Sequence, residues 1–370
     1  MINDLLKAME ESDAVAAGKL FQEIIRKAED VFQIHLSFYP VVQQVMNPPF
    51  INPHLPKVYS IYRELLPYLK QNEIVPFIQL EVTEYAKRPK LGKLPKASLP
   101  GAPVAFHDIE MAIRKEDPKQ AALRMASFCS QQGGTEFARR LLLLGSGYLE
   151  QSLGHSISCT AFILLEMLKR PEQDFWPALV TLADYFCKGR FHTTPGLRRL
   201  TPFPVDEAIK HHLMRATSGL GIVNLHHTIT VYAIERVRHF FDKDEYAHMI
   251  EAWISFMGNK KLELVNVGDS KGKPITHYDP FYEVFSPMEA KPLVAMAAKM
   301  TTSPQGRQDL GRFLIKGLCD KYNGNYNPHY LTGLGSVLWV VDRYWSQTAL
   351  AINALFQYFS FYFDSMKSGN

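Results

Sequence analysis

Along most of this chain apolar residues return with a spacing near 3.6, the period of a helix with one buried face. In the run from Leu20 to His35, Phe32, His35 or Leu36, and Tyr39 continue one face until Pro40 ends or kinks it. In Gly154–Leu168 the stripe is Ile157, Ala161, Leu164, Leu165 and Leu168, with Ile163 and Met167 on its flanks, so this helix should be covered on most sides. The same periodicity predicts helices over Pro56–Gln71, Ala105–Arg114, Lys119–Gln131, Glu136–Leu149, Trp176–Cys187 and Val205–Ser218. It continues through Glu245–Met257, Ser286–Met300, Arg307–Cys319 and an aromatic helix that runs to about residue 364. No run alternates convincingly with period two, so the fold class is all-α: a bundle or array of antiparallel helices, HEAT-like in the middle but without a strict repeat.

Breaks in the pattern suggest the organisation. Pro89, Pro95, Pro100 and Pro103, with Gly92 and Gly101, mark residues 89–104 as a linker between an N-terminal helical segment, 1–88, and a main helical domain, 105–370. Asn47–His54 reads as a loop, and His54, like His192, is expected to be structural or exposed there. Lys260–Phe285, with Gly268, Gly272, Pro274 and Pro280, reads as a long loop of the kind that often carries function.

Composition narrows the classes. The chain has 370 residues, 46% hydrophobic and 21% charged, with a net charge of +4, which is ordinary for a globular protein and gives no case for a nucleic-acid partner. Lys87, Arg88, Lys90, Lys93 and Lys96 are interleaved with prolines and read as a solvated stretch. Cys129, Cys159, Cys187 and Cys319 form no CxxC pair, which points to reduced thiols and a cytoplasmic setting. The first residues carry acidic groups and no apolar signal core. Tyr344–Phe363 has no charged residue, but its Ser, Thr, Asn and Gln make a buried helix the better reading than a membrane span.

Two tetrads stand out: His155-Ser-Ile-Ser158 and His227-Thr-Ile-Thr230, each opening a mostly apolar run. A buried imidazole needs a hydrogen-bond partner or a metal, since leaving it unpaired costs roughly 1–3 kcal/mol. His35, His155 and either His226 or His227 all lie in apolar helices, and imidazoles aimed inward from separate helices are a common way to hold iron or zinc. Neighbouring helical residues point about 100° apart, so His226 and His227 cannot both face one site, and composition does not choose between them. His211, His212, His239 and His248 sit among charged residues and are expected at the surface. His107-Asp108 raises the separate idea of a metal-dependent phosphohydrolase.

With these motifs in hand, the chain resembles the questin oxidase-like family of helical oxygenases acting on aromatic polyketides. His35-Leu36 looks like that family's early His-Leu, Gly154-His155 its central Gly-His, and His227-Thr-Ile-Thr230 its His-x-x-Thr; Glu289-Ala-Lys291-Pro-Leu293 falls where the family has His-x-x-Lys. The resemblance implies non-haem iron held by His35, His155 and His227 and by a carboxylated lysine at Lys291. It further implies a small aromatic substrate and dioxygen as partners, and it allows a homodimer. Met288 stands where the family carries a histidine, so that ligand is either missing or replaced by Glu289, Glu283 or His277; the alternative is that Lys291 is an ordinary solvated lysine. A carboxylated lysine needs an unprotonated amine, which an apolar setting favours. The aromatic wall is expected from Phe281, Tyr282 and the Tyr344–Phe363 helix. The competing expectation is a non-catalytic helical scaffold that binds a partner protein.

Overall fold

The computed structural model describes residues 1–27, 30–92, 101–196, 204–267, 277–286 and 290–368. They are all-α: the described residues hold no strand, only isolated bridges at Val45–Lys90 and Asn47–Phe50. In chain order the helices are α1 (Ile2–Glu10), α2 (Ala14–Arg26), α3 (Val31–Ser37), α4 (Tyr39–Val42), α5 (His54–Leu65), α6 (Gln71–Lys87), α7 (Phe106–Arg114), α8 (Pro118–Gln132), α9 (Gly134–Ser146) and α10 (His155–Met167). There follow α11 (Trp176–Gly189), α12 (Val205–Ala216), α13 (Gly221–Arg236), α14 (Lys243–Met257), α15 (Tyr278–Phe285), α16 (Ala290–Met300), α17 (Pro304–Asp320), α18 (His329–Arg343) and α19 (Thr348–Ser368). Among the described residues no helix is long and apolar enough to cross a membrane.

Local chemistry sets many of the helix starts. Asp13, Asp30, Asp117 and Ser303 each accept a backbone N–H from the first turn that follows, and Pro118 and Pro304 occupy the first helical position, where a missing N–H costs nothing. The expected Lys260–Phe285 loop contains a helix, α15. Its Tyr278, Phe281, Tyr282 and Phe285 have helical spacing, and Pro280 sits in the first turn, where proline is tolerated. Residues 268–276 of that stretch, and residues 93–100 of the Pro-rich stretch, lie outside the described residues. The expected Pro56–Gln71 helix ends at Leu65, followed by a short 3₁₀ turn, Leu66–Tyr68, and the C-terminal helical region is two helices, α18 and α19.

The helices fall into two compact units, and neither is one continuous stretch of chain. The first comprises Met1–Ser60, Ile78–Thr201 and Ala233–Trp253; the second comprises Ile61–Phe77, Pro202–Tyr232 and Ile254–Asn370. In the first unit, α7 to α11 pack as successive neighbours and α11 also returns onto α8. Gly145 allows α9 to press on the start of α10: a Cβ there would stand 2.6 Å from the Ser156 carbonyl oxygen, and the Ser156 hydroxyl donates to the Gly145 carbonyl at 2.8 Å. In the second unit, α19 packs against both α16 and α18. There Phe285 meets Phe359, Tyr362 and Phe363 with ring centres 5.0–6.0 Å apart, so these aromatics pack against one another as core. Gln357 of α19 accepts from the Thr228 hydroxyl of α13 and donates to the Ala216 carbonyl that ends α12.

Candidate metal centre

Four buried histidines form two close pairs. In the first unit His54 opens α5 and His155 opens α10, and their Nε2 atoms are 2.8 Å apart with the rings edge to face. In the second unit His329 opens α18 and His226 lies in α13, with Nε2 atoms 3.0 Å apart. None of the four is more than 8% exposed.

The local sequence explains why the rings stand where they do. Leu153 and Gly154 both take left-handed backbone, φ 52° and 77°, and this turn makes His155 the first residue of α10. A glycine enters that region at little cost. His155 Nδ1 then donates to the Ser152 carbonyl at 2.8 Å. In α13 the His226 Nδ1 donates to the Ile222 carbonyl one turn earlier, at 2.6 Å. Asn327 orients His329: its Oδ1 accepts both the His329 backbone N–H, at 3.0 Å, and the ring Nδ1–H, at 2.8 Å. Asn47 serves His54 differently, because Arg88 donates to Asn47 Oδ1 and turns the amide nitrogen toward His54 Nδ1, at 3.4 Å.

These contacts fix the tautomers. A carbonyl or amide oxygen can only accept, so the Nδ1 of His155, His226 and His329 must carry the proton, and the Nε2 of each neutral ring carries a lone pair. In the His226–His329 pair two lone pairs therefore face each other at 3.0 Å. Neutral rings cannot hold that arrangement by a hydrogen bond. It calls for a positive species, either an added proton or a cation. His155 and His329 also stand at helix N-termini, where the helix dipole disfavours an imidazolium. A ring nitrogen held by a carbonyl while the other nitrogen faces a site is the usual support for a metal-ligating histidine.

His54, His155 and His329 form a buried cluster whose ligand nitrogens all lie within 4.8 Å of one another. A buried three-histidine cluster of this kind, in an all-helical protein, suggests a metal-binding site and is consistent with a metal-dependent enzyme. The donor set of neutral imidazoles suits iron, zinc or copper better than calcium or magnesium, which prefer oxygen ligands.

Of the residues singled out from sequence, His155 belongs to the cluster. His35 is wholly buried, but its Nδ1 is 2.6 Å from Glu81 Oε2 and its ring stacks on Tyr59 at 4.5 Å. Burial pushes the Glu81 carboxyl up, and the adjacent His35 opposes that. His227 is buried on another side of α13 from His226, with Phe256 at its edge and Nδ1 3.3 Å from Lys260 Nζ. Its imidazole is pushed down to about 4 by burial and by the Lys260 charge. Lys291 is exposed in the first turn of α16, not set among apolar side chains. Glu283 and His277 are also exposed, and Glu289 lies outside the described residues. His107 is exposed beside Glu110, and Asp108 accepts the Ala105 N–H at the start of α7, so that dipeptide serves the helix end.

His54, expected to be structural or exposed in a loop, is 3% exposed, and His329 is not among the residues singled out from sequence. One signal could have found both: Asn52-Pro-His54 and Asn327-Pro-His329 are the same tripeptide, each ending on the first residue of a helix. The repeated tetrads hid this. His155 and His227 match in sequence, yet His227 is the seventh residue of α13, and its neighbour His226 is the one paired with His329. Comparison of the chain with family models, curated proteins and solved structures finds no match.

Proposed function

We propose that His54, His155 and His329, with His226 beside them, hold a transition metal, iron in the first place. In this reading the protein is an oxygenase of the questin oxidase-like kind, acting with dioxygen on an aromatic, polyketide-like small molecule. The carrying observation is the His226–His329 pair, whose Nε2 lone pairs face each other at 3.0 Å while acceptor oxygens hold both Nδ1 protons. Bound iron would supply the redox chemistry that couples dioxygen to oxidation of the organic substrate. The chain's own contribution is to keep the imidazoles neutral, through the Ser152 and Ile222 carbonyls and Asn327, and to keep bulk water out by burial. The oxygenase assignment rests on the motif resemblance at Gly154-His155 and on the nitrogen-rich donor set. The ligand set is revised from the one the resemblance implies: His54, His226 and His329 take the places of His35, His227 and Lys291.

The test is metal analysis of the purified protein, with anaerobic iron loading followed by dioxygen uptake in the presence of simple hydroxylated aromatics. The expected result is close to one equivalent of metal, lost in His155→Ala and His329→Ala and kept in His107→Ala. Failure of the wild-type protein to bind any transition metal would overturn the reading. Metal binding without dioxygen uptake would keep the centre and remove the oxygenase.

A further inference from the structure

One turn beyond the His54–His155 contact the same two helices carry a second polar pair. Lys57 follows His54 by three positions on α5, and Cys159 follows His155 by four on α10, so each lies on the same face as its histidine. Lys57 is wholly buried, and its Nζ finds no hydrogen-bond partner among the described residues. Lys57 and Cys159 are close enough to feel each other's charge, and Tyr185 of α11 feels that of Cys159. Tyr185 Oη likewise has no partner among the described residues, and neither does the side-chain amide of Gln43. Gln43 belongs to the same neighbourhood: its carbonyl accepts the Thr181 hydroxyl, one turn before Tyr185 on α11.

Each buried polar group left unmade costs about 1–3 kcal/mol, so three of them within the first unit are groups that a bound guest would satisfy. Their protonation states narrow what the guest can be. Burial lowers the Lys57 amine and raises the Cys159 thiol, the latter to about 11, and it also raises the Tyr185 phenol. The thiol and phenol are thereby held in their protonated forms, while the amine is the group that burial shifts toward its uncharged form, with a lone pair to give. A desolvated lysine in an apolar pocket is an activated nucleophile toward carbonyl carbon.

We propose that Lys57 is a substrate-binding nucleophile that condenses with the carbonyl group of a small aldehyde or ketone, with Tyr185 and Gln43 facing the carbonyl oxygen. The amine nitrogen forms a C–N bond as the C–O π bond opens, and the oxygen is protonated from Tyr185 Oη. The carbinolamine then expels that oxygen as water. The phenol regains its proton from the nitrogen, so the two amine hydrogens leave in the water molecule and no electrons are exchanged. This site does not depend on the metal reading, since none of its groups is one of the four histidines.

The experiment is reductive trapping with acetaldehyde and sodium cyanoborohydride near neutral pH. It is run on the full chain with and without prior chelator treatment and read by peptide mass mapping against time. Each unit by which an amine is lowered gives about tenfold more free base. Lys57 should therefore be alkylated faster than the exposed Lys7, with or without chelator. Lys57→Met, which fills the same space without the amine, should remain folded by circular dichroism and lose only the fast phase. Alkylation of Lys7 and other surface lysines while Lys57 in the folded protein stays unmodified, or reacts no faster than they do, would overturn the proposal.

Discussion

At the scale of single residues, Asn327 holds the His329 ring and backbone through one oxygen. Its replacement by Leu should weaken metal binding by about 10–100-fold, the usual loss when a supporting partner is removed, while the fold survives. Competition with a chelator of known affinity measures this, and an unchanged affinity would remove Asn327 from the site. His227 gives a prediction in pH. Its folded value of about 4 lies below the ordinary 6.5. Between those values the unfolded chain binds the proton and the folded chain does not, so stability rises with pH across that window and falls as the pH drops through it. His227→Gln should flatten the dependence of melting temperature on pH between about 4 and 6.5. This scale was the hardest to read from sequence. Whether His226 or His227 faces the site turns on a rotation of about 100° within one helix, which composition does not encode. The buried state of His54 was hidden by Asn and Pro around it, which speak of a loop and say nothing about what covers the loop.

For the secondary-structure elements, the start of α10 is the point where geometry is tightest. Gly145→Ala would push a methyl group into the Ser156 carbonyl, a backbone atom with no easy way to give. We expect a loss of about 1–3 kcal/mol in denaturant unfolding, the range for overpacking. Gly196→Ala, where nothing lies within 4 Å of the added carbon, should be close to neutral and serves as the control. Gly154→Ala forces a side chain into a left-handed residue, with a cost of about 1–2 kcal/mol, and should also reduce bound metal because it moves the residue that carries His155. The helices themselves were legible because their apolar stripes are long and regular, α10 above all. The helix α15 was not, since Pro280 and the glycines before it outweighed four aromatics at helical spacing.

Taken as a whole, the molecule is two compact units, each assembled from stretches far apart in the chain. The helices α5, α6, α13 and α14 each have residues in both. Sequence punctuation could not reveal this division, because proline-rich stretches mark breaks in helices and not the contacts that define a core. A ligand that binds only the folded state stabilises it by about 2.7 kcal/mol at a hundred times its dissociation constant. Chelation should therefore lower the melting temperature of the wild-type protein and leave His329→Ala unchanged; equal shifts in both would detach stability from the histidines. The Asn-Pro pairs beside the histidines have one more consequence, for how the protein ages. Asparagine deamidates when the next residue's backbone nitrogen attacks the side-chain carbonyl, and proline has no N–H with which to complete that ring closure. Asn47 and Asn327, the amides in contact with His54 and His329, are both followed by proline, whereas the exposed Asn323 precedes Gly324. Peptide mapping of heat-aged protein should show isoaspartate accumulating first at Asn323, with the two amides that orient the imidazoles intact.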